Sequence, residues 1–229
     1  LPTRLVRHKG EKLDKFTLAN EDMARDAETA IASTEFSIDK IESKPGQRKP
    51  AAPFTTSTLQ QEASRKLGFN AKRTMQVAQL LYQGVTIDGE ETGLITYMRT
   101  DGTQIAPEAV TETRSVIVED FGNEYLPDAA RVYETKAANA QEAHEAIRPT
   151  SLARRPDQMG RFLDGDQAKL YDLIWKRTMA SQMENARVQR TTISVSGLDG
   201  LTSLRASGTV VTFSGFLKLY EEVQHFFQL

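Results

Sequence analysis

Cysteine is absent from the 229-residue chain, and histidine occurs three times. The absence of cysteine excludes disulfides, iron–sulfur clusters, thiolate zinc sites and a cysteine nucleophile. Three histidines leave little for an imidazole-rich metal site. No apolar run approaches the roughly 20 residues of a membrane span, and the N-terminus lacks the apolar stretch of a signal peptide. The sequence therefore predicts a cytoplasmic protein with no membrane partner.

A strong net charge of either sign is also missing. The chain has 29 Lys and Arg residues against 31 Asp and Glu residues, which gives a net charge of −2. This balance excludes a uniformly basic protein that coats nucleic acids. It does not exclude a local basic groove, because binding depends on where the charges lie.

Hydropathy patterns change twice along the chain. Alternation of apolar and polar residues predicts strands near both ends, and helical periodicity predominates between Thr58 and Met183. Asn20 and Asn70 are predicted helix caps, and the longest helical pattern covers residues 166–183. Residues 94–98 form a short apolar run that we interpret as a further strand.

Proline and glycine are densest in residues 44–53, which predicts a linker or domain boundary there. We therefore predict an α+β multi-domain fold with a mainly helical domain inserted into a β-rich domain. The predicted boundaries are 1–50 for the first part of the β-rich domain, 51–183 for the helical domain and 184–229 for the second part.

Acidic residues cluster in two places without forming a metal site. Asp164 and Asp166 resemble part of a magnesium cluster, but no third carboxylate follows. A glycine turn followed by an aspartate helix cap is the favoured interpretation. Residues 88–93 combine three acids with two glycines and predict a solvated hairpin. We expect neither a metal site nor a cofactor site in this chain.

Tyr97 and Arg99 lie two residues apart, where the apolar run 94–98 meets a polar turn. Residues i and i+2 of a strand share a face, so both side chains could approach one phosphate. A tyrosine hydroxyl can act as a nucleophile when it is positioned, and arginine matches phosphate geometry bidentately. The alternative is a buried tyrosine beside a surface arginine, which residue types alone favour.

His144 and Arg148 form a second candidate pair. Residues 141–149 are interpreted as a short helix that ends at Pro149, and in a helix these two side chains would lie one turn apart. His144 and Glu145 begin like a zinc-protease motif, but Arg148 stands where the second histidine would be. A solvated helix without function remains an equal alternative.

Three segments together resemble the type IA DNA topoisomerases: residues 53–60 (PFTTSTLQ), 95–101 (ITYMRTD) and 144–149 (HEAIRP). Their order and specificity make this likeness strong, and it extends over nearly the whole chain. The resemblance implies that the helical domain is the family's catalytic-tyrosine domain and that the β-rich domain is its arch. The family's metal-binding Toprim domain has no counterpart, so the chain is expected to be a piece of a longer enzyme.

The resemblance also implies the roles of individual residues. Tyr97 would attack a DNA phosphodiester and form a 5′-phosphotyrosine link, and Arg99 would stabilise the transition state. His144 would engage the DNA backbone, held by Asp101, and Arg148 would contact a phosphate. The roles of Tyr97, Arg99 and Arg148 follow from the resemblance alone, because residue spacing leaves the alternatives open.

The implied function is that of an isomerase. The full-length enzyme would cleave one DNA strand, pass a strand and religate, relaxing negative supercoils without ATP. Mg²⁺ would bind outside this chain, and the piece alone would be inactive. The implied partners are single-stranded and negatively supercoiled DNA at the nucleoid and the remaining domains of the same polypeptide, with a monomeric state. Topoisomerase III, the topoisomerase half of reverse gyrase and a non-catalytic single-stranded DNA-binding module stay open as alternatives.

Overall fold

The computed structural model describes residues 2–133 and 145–220. Tertiary contacts divide these residues into two compact units. The sheet unit comprises residues 2–48 and 186–214, and the helical unit comprises residues 49–133, 145–185 and 215–220. The predicted mixture of helix and sheet is confirmed. The assignment of the units to an arch and a catalytic-tyrosine domain stays a prediction.

Seven strands and six α-helices make up the described fold. The strands are β1 (Arg4–His8), β2 (Glu11–Lys12), β3 (Phe36–Arg48), β4 (Val85–Ile87), β5 (Glu90–Thr92), β6 (Ala186–Gly197) and β7 (Ser203–Phe213). The helices are α1 (Glu21–Ser33), α2 (Thr56–Leu67), α3 (Ala71–Gln83), α4 (Pro107–Phe121), α5 (Pro156–Met159) and α6 (Gly165–Gln182).

The sheet unit contains one five-stranded antiparallel sheet in the order β2–β1–β7–β6–β3. Helix α1 belongs to the same unit and begins where Asn20 accepts a hydrogen bond from the backbone N–H of Met23, as its predicted capping role requires. Ala27 is the buried residue of this helix. On the opposite edge of the sheet from β2, strand β3 pairs with β6 along its whole length.

The linker predicted for residues 44–53 is wrong in its first half, because β3 continues to Arg48. Pro45 lies within this strand and is aligned with Gln189 of β6. Proline lacks an N–H, but an outer strand needs hydrogen-bond donors on one side only, so it tolerates proline there. The density of proline and glycine therefore marks an edge strand up to Arg48.

The helical unit packs around α6. Leu170, Tyr171 and Ile174 of this helix are fully buried, and they form one core with residues of α2, α3 and α4. The predicted cap Asn70 is confirmed, because its side chain accepts from the N–H of Arg73. Asp164 caps α6 and accepts from N–H groups in the first turn of that helix. The aspartate cap therefore stands before Gly165 and not after it as predicted, and Asp166 lies in the first turn of the helix.

Strands β4 and β5 form the predicted hairpin. Asp88 and Gly89 at its turn have positive φ angles of 50° and 94°. Two successive residues of this kind are typical of the type I′ turn, whose twist matches that of the paired strands. The hairpin connects the end of α3 to the segment that carries Tyr97.

Candidate active site

The segment that carries Tyr97 is irregular, so the strand predicted for residues 94–98 is wrong. Ile95 forms an isolated antiparallel bridge with Pro149. The N–H of Thr96 donates to the carbonyl of Arg148 at 2.9 Å, and the Thr96 hydroxyl donates to the carbonyl of Ala146 at 2.7 Å. The backbone N–H and C=O groups here are therefore paired through isolated bridges and the Thr96 hydroxyl, and not through the continuous hydrogen bonds of a strand.

The helix predicted for residues 141–149 is also wrong where the structure describes it. Glu145, Ile147 and Pro149 each form an isolated bridge, with Gln104, Phe54 and Ile95 respectively. Bridges at every second residue are typical of an extended segment that lies between other segments. Ala146 and Ile147 of this segment are fully buried. Burial against distant segments overrides the local helical pattern. His144 lies outside the described residues.

The predicted side chains of this segment alternate in exposure with the residues between them. Tyr97, Arg99 and Asp101 are exposed, whereas Met98 and Thr100 between them are buried. The alternative of a buried tyrosine beside a surface arginine is therefore wrong, because both side chains are exposed. A common approach of Tyr97 and Arg99 to one phosphate stays a prediction.

Thr56, in the first turn of α2, forms hydrogen bonds with the main chain of this segment. Its hydroxyl donates to the carbonyl of Met98 at 2.8 Å and accepts from the N–H of Thr100 at 2.9 Å. Its own N–H donates to the carbonyl of Thr100 at 2.9 Å. These bonds reach main-chain atoms on both sides of Arg99, so they fix the backbone from which Arg99 projects.

Thr56 and Thr96 hold the main chain of the candidate site, a positioning role that the sequence analysis missed. Helix α2 begins at Thr56, two residues before the predicted start, and Thr55 and Thr58 form its capping box. The run of four hydroxyl residues at positions 55–58 was the available signal, because such residues seek backbone partners at helix starts.

The phenol ring of Tyr97 is half exposed at 48% and packs edge-on against the ring of Tyr82. The ring centroids are 5.4 Å apart and the planes meet at 64°, which is an edge-to-face geometry that aromatic pairs prefer. Among the described residues, the Tyr97 hydroxyl has no hydrogen-bond partner. The ring is thus oriented by packing while its oxygen stays accessible.

Gly93 allows the approach that creates this ring pair. A Cβ atom at position 93 would lie 2.9 Å from the carbonyl oxygen of Tyr82. Immediately after it, the N–H of Leu94 donates to the carbonyl of Leu81 at 2.8 Å. The end of α3 and the start of the Tyr97 segment therefore touch backbone to backbone.

Arg99 borders two hollows of the helical unit. One, of about 380 Å³, lies at the start of α2 and is lined by residues 55–57 and 99–101. The other, of about 780 Å³, runs along α3 and is lined by Lys72, Arg73, Asp164 and Asp166 among others. Arg99 forms no ion pair or hydrogen bond within the described residues. Its guanidinium is therefore available to an anion.

Arg148, unlike Tyr97 and Arg99, is largely buried. Its guanidinium forms a bidentate pair with Glu145 at 2.6 and 3.0 Å, and it donates to the carbonyl of Pro149 at 2.7 Å. The side chain is 12% exposed. Glu145 in turn accepts from the N–H of Ala106 at the start of α4. Arg148 thus braces this region, and its contact with a phosphate stays a prediction.

The described residues do not fit a magnesium site. Asp164 is engaged in capping α6, and Asp166 forms an ion pair with Arg73. No group of three His, Asp or Glu residues that could hold a metal ion occurs in the described ranges. No step of the chemistry is therefore assigned to a metal bound by these residues.

None of the described helices is both long enough and apolar enough to cross a membrane.

Comparisons with known proteins give this site its context. The family model described as DNA topoisomerase matches residues 4–226. The chain belongs to this DNA topoisomerase family. It is 48% identical over 219 residues to DNA topoisomerase 1 of Rickettsia felis, covering 96% of the chain and 28% of that protein. It is 49% identical over 220 residues to DNA topoisomerase 1 of Zymomonas mobilis, covering 96% of the chain and 17% of the relative.

A solved structure agrees in fold. Full-length topoisomerase I from Thermotoga maritima matches with a TM-score of 0.74 and 37% identity, covering 92% of this chain and 32% of that one. The chain therefore spans between about a sixth and a third of the length of these relatives.

Proposed function

We propose that this chain is the part of a type IA DNA topoisomerase I that supplies the nucleophile for DNA cleavage. One observation carries the proposal. Tyr97, half exposed, and Arg99, which has no partner among the described residues, are both exposed on one segment whose main chain is held by hydrogen bonds. The family membership of the chain and the names of its relatives support a topoisomerase over an unrelated phosphate-binding protein.

In the proposed reaction the Tyr97 oxygen attacks a DNA phosphorus atom in line with the bond to the 3′ oxygen. The phosphorus–oxygen bond to the 3′ side breaks, a 5′-phosphotyrosine link forms, and the phenolic proton balances the proton gained by the 3′ hydroxyl. Arg99 stabilises the charge on the phosphoryl oxygens, because its planar fork matches two of them. His144, supported by Asp101, engages the DNA backbone beside the cleaved bond.

Religation reverses this exchange of one phosphoester for another, so the reaction needs no ATP. Passage of a strand between the two steps relaxes negative supercoils. The substrates are single-stranded and negatively supercoiled DNA, and the enzyme acts as a monomer at the nucleoid in the cytoplasm. Mg²⁺ acts in the full-length enzyme from a site outside the residues of this chain.

The chain alone is proposed to be inactive in relaxation. This proposal is supported by the share of the relatives' length that it spans and by the lack of a fitting carboxylate group in the described ranges. The assay is relaxation of a supercoiled plasmid by the purified chain with magnesium present. Plasmid relaxation by the chain alone, lost in its Tyr97→Phe variant, would contradict the proposed inactivity.

The covalent link itself is tested in the full-length protein with Tyr97→Phe, which removes the nucleophilic oxygen and leaves the ring pair with Tyr82. We expect the protein–DNA adduct with a labelled oligonucleotide to vanish on a denaturing gel while the melting temperature stays within about 2 °C. Tyr82→Phe is the matched control and should retain the adduct. An adduct that survives Tyr97→Phe would refute the assignment of the nucleophile.

A further inference from the structure

The register of the sheet unit places four cations on one face. Arg4 of β1 is aligned with Arg205 of β7, and Arg7 of β1 is aligned with Lys12 of β2. Residues aligned across neighbouring antiparallel strands point to the same side of the sheet. Each of these cross-strand pairs therefore joins two positive charges.

An irregularity in β1 brings the two pairs together. The register shifts between Leu5 and Arg7, so that Arg7 is aligned with Ser203, two residues from Arg205 on β7. Without this extra residue, Arg4 and Arg7 would point to opposite faces, because strand side chains alternate. All four cations consequently line one hollow of about 610 Å³ in the sheet unit. We refer to Arg4, Arg7, Lys12 and Arg205 as the basic basin.

Within the described residues, nearby acids do not neutralise this basin. The acid that lines it is Asp39, which accepts a hydrogen bond from the hydroxyl of Ser196. Glu42 lies further along β3, where it pairs with Lys40 at 2.8 Å. Lys40 and, more weakly, the field of Arg205 hold the pKa of Glu42 below its ordinary value. None of the four basin cations forms an ion pair with a described acid.

Like charges directly opposite each other destabilise a sheet, so two such pairs are unfavourable unless an anion lies between them. The lining also offers the hydroxyls of Ser194, Ser196 and Ser203, which can donate to anionic oxygens. Arginine in particular matches phosphate oxygens with its fork. The chemistry of the basin is therefore that of a phosphate-binding surface.

The size of the basin indicates several phosphates. The cations occupy three neighbouring strands that lie about 4.8 Å apart, so they extend over roughly 10 Å across the sheet. That width exceeds one phosphate group and suits a chain of linked phosphates. We propose that the basic basin binds the sugar–phosphate backbone of a nucleic acid strand, in addition to the site at Tyr97.

The test measures binding of a 5′-fluorescein-labelled 20-nucleotide oligo(dT) to the 229-residue chain by fluorescence anisotropy at several NaCl concentrations. Every protein carries Tyr97→Phe, so the readout is independent of covalent cleavage and of whether the proposed function is correct. The basin variant is Arg4→Ser with Arg205→Ser. The matched control is Lys15→Ser with Arg25→Ser, which removes the same charge from exposed positions of the same unit outside the basin.

We expect the basin variant to weaken binding tenfold or more at 50 mM salt and to reduce the slope of log K against log salt by about 1.4, or about 0.7 for each lost phosphate contact on a single strand. The control should stay within about twofold of the parent. Equal losses in both variants, or no loss in the basin variant, would overturn the proposal.

A second readout guards against misfolding. Arg4→Glu places opposite charges across from each other in the β1–β7 pair, so it should raise the melting temperature while it weakens oligonucleotide binding. A rise in stability together with unchanged binding would show that the repulsion exists without a nucleic acid to relieve it, and would also overturn the proposal.

Discussion

Removal of the Thr56 hydroxyl should loosen the segment that carries Tyr97 and Arg99. Thr56→Val keeps the shape of the side chain but deletes the donor to Met98 and the acceptor for the N–H of Thr100. Each net hydrogen bond contributes about 0.5–1.5 kcal/mol, so the two together amount to about 2 kcal/mol. For a chain of this length, 1 kcal/mol shifts the melting temperature by about 2–4 °C, which predicts a fall of about 4–8 °C.

Thr56→Ser is the control for this prediction, since serine keeps the hydroxyl and loses one methyl group. Burial of one such group is worth about 0.8 kcal/mol, so the serine variant should lose about 2–3 °C. Thermal unfolding followed by circular dichroism measures both variants. If valine proves no more destabilising than serine, the hydroxyl does not hold the segment and the reasoning is refuted.

Three further outcomes are expected. In the full-length enzyme, Arg99→Lys should lower adduct formation tenfold or more while oligonucleotide affinity changes less than about threefold. The reason is that lysine keeps the charge but lacks the bidentate guanidinium group. Equal losses of adduct formation and affinity would make Arg99 only a contact to the DNA backbone. Gly93→Ala should cost about 1–3 kcal/mol in denaturant unfolding because its Cβ meets the Tyr82 carbonyl, whereas Gly165→Ala, with open space at its Cβ, should cost nothing. Burial raises the pKa of Tyr220 to about 12. Since the unfolded phenol ionises near pH 10, folding stability should decline from pH 10 to 12, and unfolding in guanidinium at pH 8 and 11 should show a smaller decline for Tyr220→Phe.

Local signals in the sequence predicted much of the fold. Asn20 and Asn70 are identifiable as caps because a helix start depends on residues within one turn of it. The exposure of both Tyr97 and Arg99 was predictable because alternation persists in the irregular segment. Each of these features depends on neighbours a few positions away.

The errors arise where distant segments decide the conformation. Residues 145–149 have the composition of a short helix, yet Ile147 is extended because its backbone pairs with Phe54, more than 90 residues earlier. The hydroxyl of Thr56 likewise finds its partners more than 40 residues away. No spacing rule along the chain contains such pairings. The continuation of β3 through Pro45 was missed because an outer strand cannot be identified as such without its neighbours.

The threonines that hold the Tyr97 segment bind its main chain and none of its outward side chains. These main-chain contacts therefore do not depend on which side chains stand at positions 97, 99 and 101. Exchange of Tyr97, Arg99 or Asp101 should leave the folded population, and hence the cellular abundance of the protein, nearly unchanged. Such a variant would therefore persist as a folded chain instead of being cleared as a misfolded one.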